Sequence, residues 1–214
     1  MLTVKRFVFN PFDENTYLLT DSATGQTAVV DPGMFNVHDL EEFDNYIEQN
    51  RLTLTQIINT HLHVDHCFGN THVRDRYGIK TAAHPGDAEL GRNAAAQAAR
   101  FGMRRPMLPV TIDVPLADGD TITIGSDNTL TVIAVPGHSQ GGIALYDARD
   151  GFVLTGDSLF QNSIGRTDLP GGNMRQLVQA VRTRLLTLPD DTVVLPGHGP
   201  ATTIGQEKAG NPFL

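Results

Sequence analysis

The chain has 214 residues, a formal net charge of −8 and a pI near 5.4, which is room for a substantial core and no basic footprint for a nucleic-acid backbone. Hydrophobic content of 40% and charged content of 19% fit a folded chain better than a disordered one. No apolar run approaches the ~20 residues that span a bilayer, the start MLTVKRFVFNPFDENTY lacks a signal-peptide pattern, and a single cysteine, Cys67, excludes an internal disulfide. The expectation is one cytoplasmic domain over residues 1–214, without a nucleic-acid or membrane partner.

The chain opens with apolar stretches that read as antiparallel strands: RFVFN, then TYLLTD, a turn at SATG, and TAVVDPG over 27–33. Helical patterns are expected at about 38–50, 65–77, 87–101 and 173–187, with short strands between them. Several of those strands run into a turn that carries a metal-capable side chain. QIINTHLH reaches His61 and His63, LTVIAVPGH reaches His138, GFVLTGD reaches Asp157, and TVVLPGH reaches His198. In layered α/β sheets, ligands gather beyond the carboxyl ends of strands, so these endings point to one shared site.

Local geometry supports this. Residues i and i+2 of an extended segment face the same way, so His61 and His63 can grip one ion; Asp65 and His66 then fall at a helix start, where the chain turns toward a second position. With His138, Asp157 and His198 the set has seven members, too many for one tetrahedral zinc and suited to two metals sharing a carboxylate. Any one of these motifs alone is a turn or a cap. Their joint occurrence is not explained that way.

With THLHVDH at 60–66, GHSQGGIALY at 137–146, GDSLFQNSIGRTDLPGG at 156–172, LPGHGPATTIGQE at 195–207, and NPFDENTYLL and VVDPG near the start, the sequence resembles the metallo-β-lactamase superfamily. Within it, the glyoxalase II-like (hydroxyacylglutathione hydrolase-like) branch is the nearest match. The resemblance implies an αββα sandwich. It also implies that His61, His63 and His138 hold one metal and Asp65, His66 and His198 a second, with Asp157 bridging; zinc is the expected metal, iron or manganese the alternatives. Asp157 stands where many β-lactamases of the superfamily have cysteine, and His63 where flavodiiron proteins have glutamate, so neither activity is expected. Glyoxalase II enzymes continue into a helical glutathione-binding domain after the point where this chain ends.

The function so implied is hydrolysis of an acyl thioester by a metal-bridging hydroxide oriented by Asp65, a small-molecule reaction. A mononuclear iron persulfide dioxygenase is the alternative, and a non-catalytic metal-binding protein the third reading. Three more residues carry expectations: Asp31 as the orienter of a ligand histidine, and Arg166 with Asp168 as a loop-shaping ion pair or a substrate contact. Cys67 reads as packing, His84 as a residue at the mouth, and His38 and His72 as helix-surface positions. The Ala-rich stretch at 88–109, with Arg100, Arg104 and Arg105, reads as a lid or as an ordinary helix with cations at its C-terminus.

Overall fold

A computed structural model describes residues 1–103 and 107–214. The first half builds one sheet. Strands β1 (Leu2–Phe9), β2 (Glu14–Asp21) and β3 (Gln26–Val30) form an antiparallel meander, and β4 (Thr53–Ile58), β5 (Thr81–Ala83) and β6 (Val114–Pro115) add in parallel beyond β3. The second sheet holds β7 (Thr121–Ile124), β8 (Asn128–Ala134), β9 (Ile143–Asp147) and β10 (Phe152–Gly156). A small hairpin, β11 (Leu159–Phe160) and β12 (Ser163–Ile164), precedes β13 (Val193–Pro196) and β14 (Thr202–Thr203), which complete that sheet in the order β14-β13-β10-β9-β8-β7.

Alternation along the strands explains why the sheets lie face to face. Tyr17, Leu19, Ala28, Val30 and Ile58 of the first sheet pack against Leu130, Val132, Ile143, Leu145 and Leu154 of the second, forming an inner core. The intervening residues face outward. Leu18 and Val29 meet Phe43 and Ile47 of α1 (Val37–Gln49) and Val73 of α2 (Asn70–Tyr77). In chain order α3 (Ala88–Arg92) and α4 (Ala94–Arg100) come between β5 and β6. On the far side Ile133, Ala144, Val153 and Val194 meet Leu177 of α5 (Met174–Ala180) and Ile204 of α6 (Ile204–Gly210). The result is the four-layer αββα arrangement, in which central strands such as β3 and β10 are buried on both faces and apolar on both, while the edge strands β1 and β7 leave part of one face exposed.

The expected elements are largely present, with differences that have physical causes. The 38–50 helix is α1, started by a capping box in which Asn36 accepts from Asp39 N and the Asp39 carboxylate accepts from Asn36 N. The 65–77 helix begins only at Asn70: Val64–His66 is a tighter 3-10 turn, and Gly69 intervenes where a Cβ would lie 2.7 Å from Met34 Cε. The 87–101 helix is two pieces that meet at Asn93, whose side-chain amide turns back to the Glu89 carbonyl. The 173–187 segment is α5, capped by Asn173 and continued by a wider π turn over Val181–Leu185. Helix α6 carries no expectation from the sequence; Thr203 caps it.

One irregularity concerns β4. Thr27 pairs with Leu54 and Ala28 with Gln56, leaving Thr55 as the extra residue of a bulge. The bulge lets Leu54 and Ile57, three apart, share the outer core.

Candidate metal centre

The four expected strand ends do meet. Just past β4 the extended segment presents His61 and His63, and the 3-10 turn then rotates Asp65 and His66 toward a second position. His138 follows β8 by a turn in which Gly137 (φ +133°) lies against α5, where a Cβ would be 2.3 Å from Leu177 N. Asp157 follows β10 and His198 follows β13. Gly197 keeps the last turn narrow: a Cβ there would lie 2.4 Å from Asp157 Oδ1 and 2.7 Å from His66 Cε1.

These side chains form two adjoining clusters. In the first, His63 Nδ1 is 2.8 Å from His138 Nε2, which is 3.2 Å from His61 Nε2. In the second, His66 Nε2 is 3.3 Å from His198 Nε2, and Asp65 Oδ2 is 3.4 Å from His198 Nε2 and 3.8 Å from His66 Nε2. The Asp157 carboxylate touches both: Oδ1 is 3.4 Å from His66 Nε2, and Oδ2 is 3.5 Å from His138 Nε2 and 3.6 Å from His198 Nε2.

Hydrogen bonds at the far side of each ring fix what points inward. His138 Nδ1 lies 2.7 Å from the Arg166 carbonyl and His198 Nδ1 2.9 Å from the Phe12 carbonyl; a carbonyl only accepts, so both Nδ1 atoms carry the proton. His66 Nδ1 donates to Asp31 Oδ2 at 3.1 Å. Thr60 gives its only hydroxyl proton to Asp31 Oδ2 at 2.5 Å, so Thr60 Oγ1 accepts from His61 Nδ1 at 3.1 Å. All four rings, when neutral, therefore aim a bare Nε2 lone pair into the site, and lone pairs 3.2–3.3 Å apart repel unless a cation lies between them.

The donor set thus fits metal. Asp157 Oδ1, which faces the second cluster, is buried without a hydrogen-bond partner, as a ligand atom reserved for a cation would be. Burial, His66 and His138 hold His61 well below the ordinary imidazole range, and burial with His138 holds His63 at about 3, so both stay neutral. Burial works against charge on His66, yet Asp157 and Asp65 outweigh it and raise its pKa well above the ordinary value. Burial likewise opposes charge on Asp157, and His66 and His138 reverse that, holding it well below the carboxylate range. The second cluster is a place where a cation is favoured.

Of the remaining expected residues, Asp31 sits at the hub, with φ +50° and its Oδ1 accepting from Thr60 N at 2.7 Å. Arg166 lines the cavity over the clusters, but its guanidinium is paired with Asp168 at 2.7 and 2.8 Å. Cys67 is buried among Leu62, Ala83 and Val110. His84 does not reach the cavity; its Nδ1 accepts from Gly86 N and caps the turn Pro85–Asp87. His38 is exposed, whereas His72 is half-buried against Asp44. Arg104 and Arg105 lie outside the described residues.

Sequence reasoning missed two buried carboxylates, Glu14 and Asp87, and a half-buried amide, Asn10. Glu14 is fully buried, with Oε1 3.9 Å from His66 Nδ1, and burial pushes its carboxyl well above its usual range against the pull of His66. Asn10, at φ +55°, donates to the carbonyls of Gly33 and Asp65 at 3.0 Å each. Asp87 accepts from Leu62 N, Ser139 Oγ and Gly141 N at 3.0, 2.8 and 2.6 Å, joining the His61–His63 segment to the His138 loop. The only signal for Glu14 was its place in NPFDENTY; Asp87 had none.

A profile of the metallo-beta-lactamase superfamily matches residues 9–198, which takes in every cluster member. The chain belongs to that superfamily. Among superfamily relatives, the hydroxyacylglutathione hydrolase GloC of Haemophilus influenzae is 34% identical over 210 residues, covering 95% of this chain and 93% of its own. The crystal structure of the BLEG-1 B3 metallo-beta-lactamase superposes with a TM-score of 0.89 at 34% identity, over 99% of each chain. That of TTHA1623 in a di-iron-bound form gives 0.87 at 34% identity, over 98% of this chain and 100% of the other. The superfamily fold and its His/Asp metal clusters are both present here.

Proposed function

We propose that this protein hydrolyses acyl thioesters at a centre of two divalent metal ions. The observation that carries the proposal is the Asp157 carboxylate, placed with one oxygen toward His66 and the other toward His138 and His198, so that it can serve both clusters. His61, His63 and His138 would hold one ion, Asp65, His66 and His198 the other, with Asp157 between them. When bound, the ions supply an acidic water and an electrophile for the scissile carbonyl. Asp65, half-buried beside His198, can accept a hydrogen bond from that water with the oxygen it does not commit to the cluster and so orient it.

The rest of the cavity favours a thioester over an amide. Its walls are Phe12, Phe101, Phe160, Leu169 and Arg166 together with the cluster residues. Among the described residues in that lining none is a free general acid: Arg166 is ion-paired and never gives up its proton. A thiolate leaves without being protonated, and an amine does not. Similarity to GloC supports the same reading. Zinc suits the histidine-rich donor set, and the likeness to a di-iron protein keeps iron and manganese as alternatives.

The test is an anaerobic assay of thiol release from lactoylglutathione and simpler acyl thioesters, with a β-lactam and oxygen uptake on a persulfide run in parallel. Thiol release without oxygen is expected. Oxygen consumption or lactam opening without thioester cleavage would overturn the proposal.

A further inference from the structure

The cavity above the clusters, about 300 Å³, is not isolated. A narrow passage of about 50 Å³ shares His63, Phe101 and Leu169 with it and shares Leu90, Gln97, Arg100 and Pro170 with a second cavity of about 380 Å³. Leu90, Ala96, Pro170 and Gly171 give that second cavity apolar walls. Its polar residues are mostly committed elsewhere. The Gln97 amide bonds the Leu62 and Leu90 carbonyls and Val64 N, Asp87 is spent on the two loops, and Glu89 is held by Arg92 and Asn93. Arg100 is different. It lines both the passage and the second cavity, and it forms no ion pair with a described residue.

Resting on the thioesterase reading, we infer that the second cavity binds the thiol carrier of the substrate and that Arg100 pairs with an anionic group on it. The acyl group then lies among Phe12, Phe101 and Phe160 above the clusters, and the carrier passes Leu169 and Pro170 into the second space. Volumes of this size are those of small-molecule sites. A carboxylate and a phosphate both meet the requirement, since each pairs with a guanidinium through two oxygens. Contact with the carrier is made equally before and during reaction, so it shows in KM and not in kcat.

The experiment uses metal-loaded protein and acetyl thioesters of three thiols: N-acetylcysteamine, short and neutral; glutathione, with carboxylates; and 4′-phosphopantetheine, with a phosphate. Arg100→Glu should raise KM for one or both anionic carriers by about tenfold or more and leave kcat and the neutral carrier unchanged. Ala96→Trp, on the exposed face of α4, should block the second cavity and raise KM for the long carriers only. The carrier that responds to Arg100→Glu identifies the anion. If all three thioesters are cleaved and neither variant alters the pattern, the inference is wrong although the thioesterase reading stands. If no thioester is cleaved, calorimetry with the S-methyl thioethers of the two anionic thiols decides: binding lost in both variants upholds the cavity assignment while the reaction class fails, and no binding, or binding indifferent to both variants, overturns the assignment.

Discussion

Thr60 illustrates how much a single side chain outside the proposed ligand set controls. Its hydroxyl passes the Asp31 charge to His61 Nδ1, while Asp31 contacts His66 directly, so one carboxylate sets a ring in each cluster. Thr60→Val should keep the fold and lower metal affinity about 10- to 100-fold, with Thr60→Ser restoring it; competition against a chelator checks this. Asp157→Ala removes the group that faces both clusters, so elemental analysis should show both ions lost together. Retention of one full equivalent would contradict a shared carboxylate. The cluster residues were legible because HxHxDH, two PGH turns and a GD turn occur together, although each motif alone is an ordinary turn or cap. Glu14, Asn10 and Asp87 were not, because a single acid or amide near a turn is an ordinary surface residue until the fold brings its partners to it.

At the scale of elements, strands and helices with a regular apolar period were legible, and breaks imposed by packing were not. The segments of the helix that starts late at Asn70 and of the one split at Asn93 each read as one continuous helix, but Gly69 must clear Met34, and the Asn93 side chain competes for the Glu89 carbonyl. Between elements, Asp87 is the strongest tie, joining two of the loops that shape the site through three bonds to one carboxylate. Asp87→Asn replaces an acceptor by an amide donor opposite a backbone N–H and should destabilise the protein by about 1–3 kcal/mol in urea unfolding. The loss of activity should exceed what the unfolded fraction accounts for, since both loops also position rings.

For the whole molecule the question is what fastens one sheet to the other away from the His/Asp clusters. Asp21, ending β2, accepts from Ala23 N and Thr24 Oγ1 on its own side and from Ser126 N, at 3.1 Å, in the β7–β8 turn of the other sheet. Gly125, at φ +68°, makes the approach possible, since a Cβ would sit 2.0 Å from Asp21 Oδ2. Those bonds, Thr24 foremost, hold the Asp21 carboxyl at about 2, below its unfolded value near 4. A lowered acid pKa stabilises the fold at pH above the unfolded value and loses that contribution as pH falls from about 4 to 2. Asp21→Asn should therefore unfold at lower urea than wild type at pH 7, and the gap should close toward pH 2.

The proposed ligands are drawn from both sheets: His61, His63 and His66 follow a strand of the first, and His138, Asp157 and His198 follow strands of the second. Contacts such as His66 with His198 span 132 positions of sequence. During synthesis a fragment that ends before residue 138 can present no more than the HxHxDH half-site; the first proposed site needs His138, the second needs His198, and both need strand ends from the two sheets brought together. On the two-ion proposal, metal supply acts late in maturation, and a chain short of the ion is finished and nearly folded rather than stalled in synthesis.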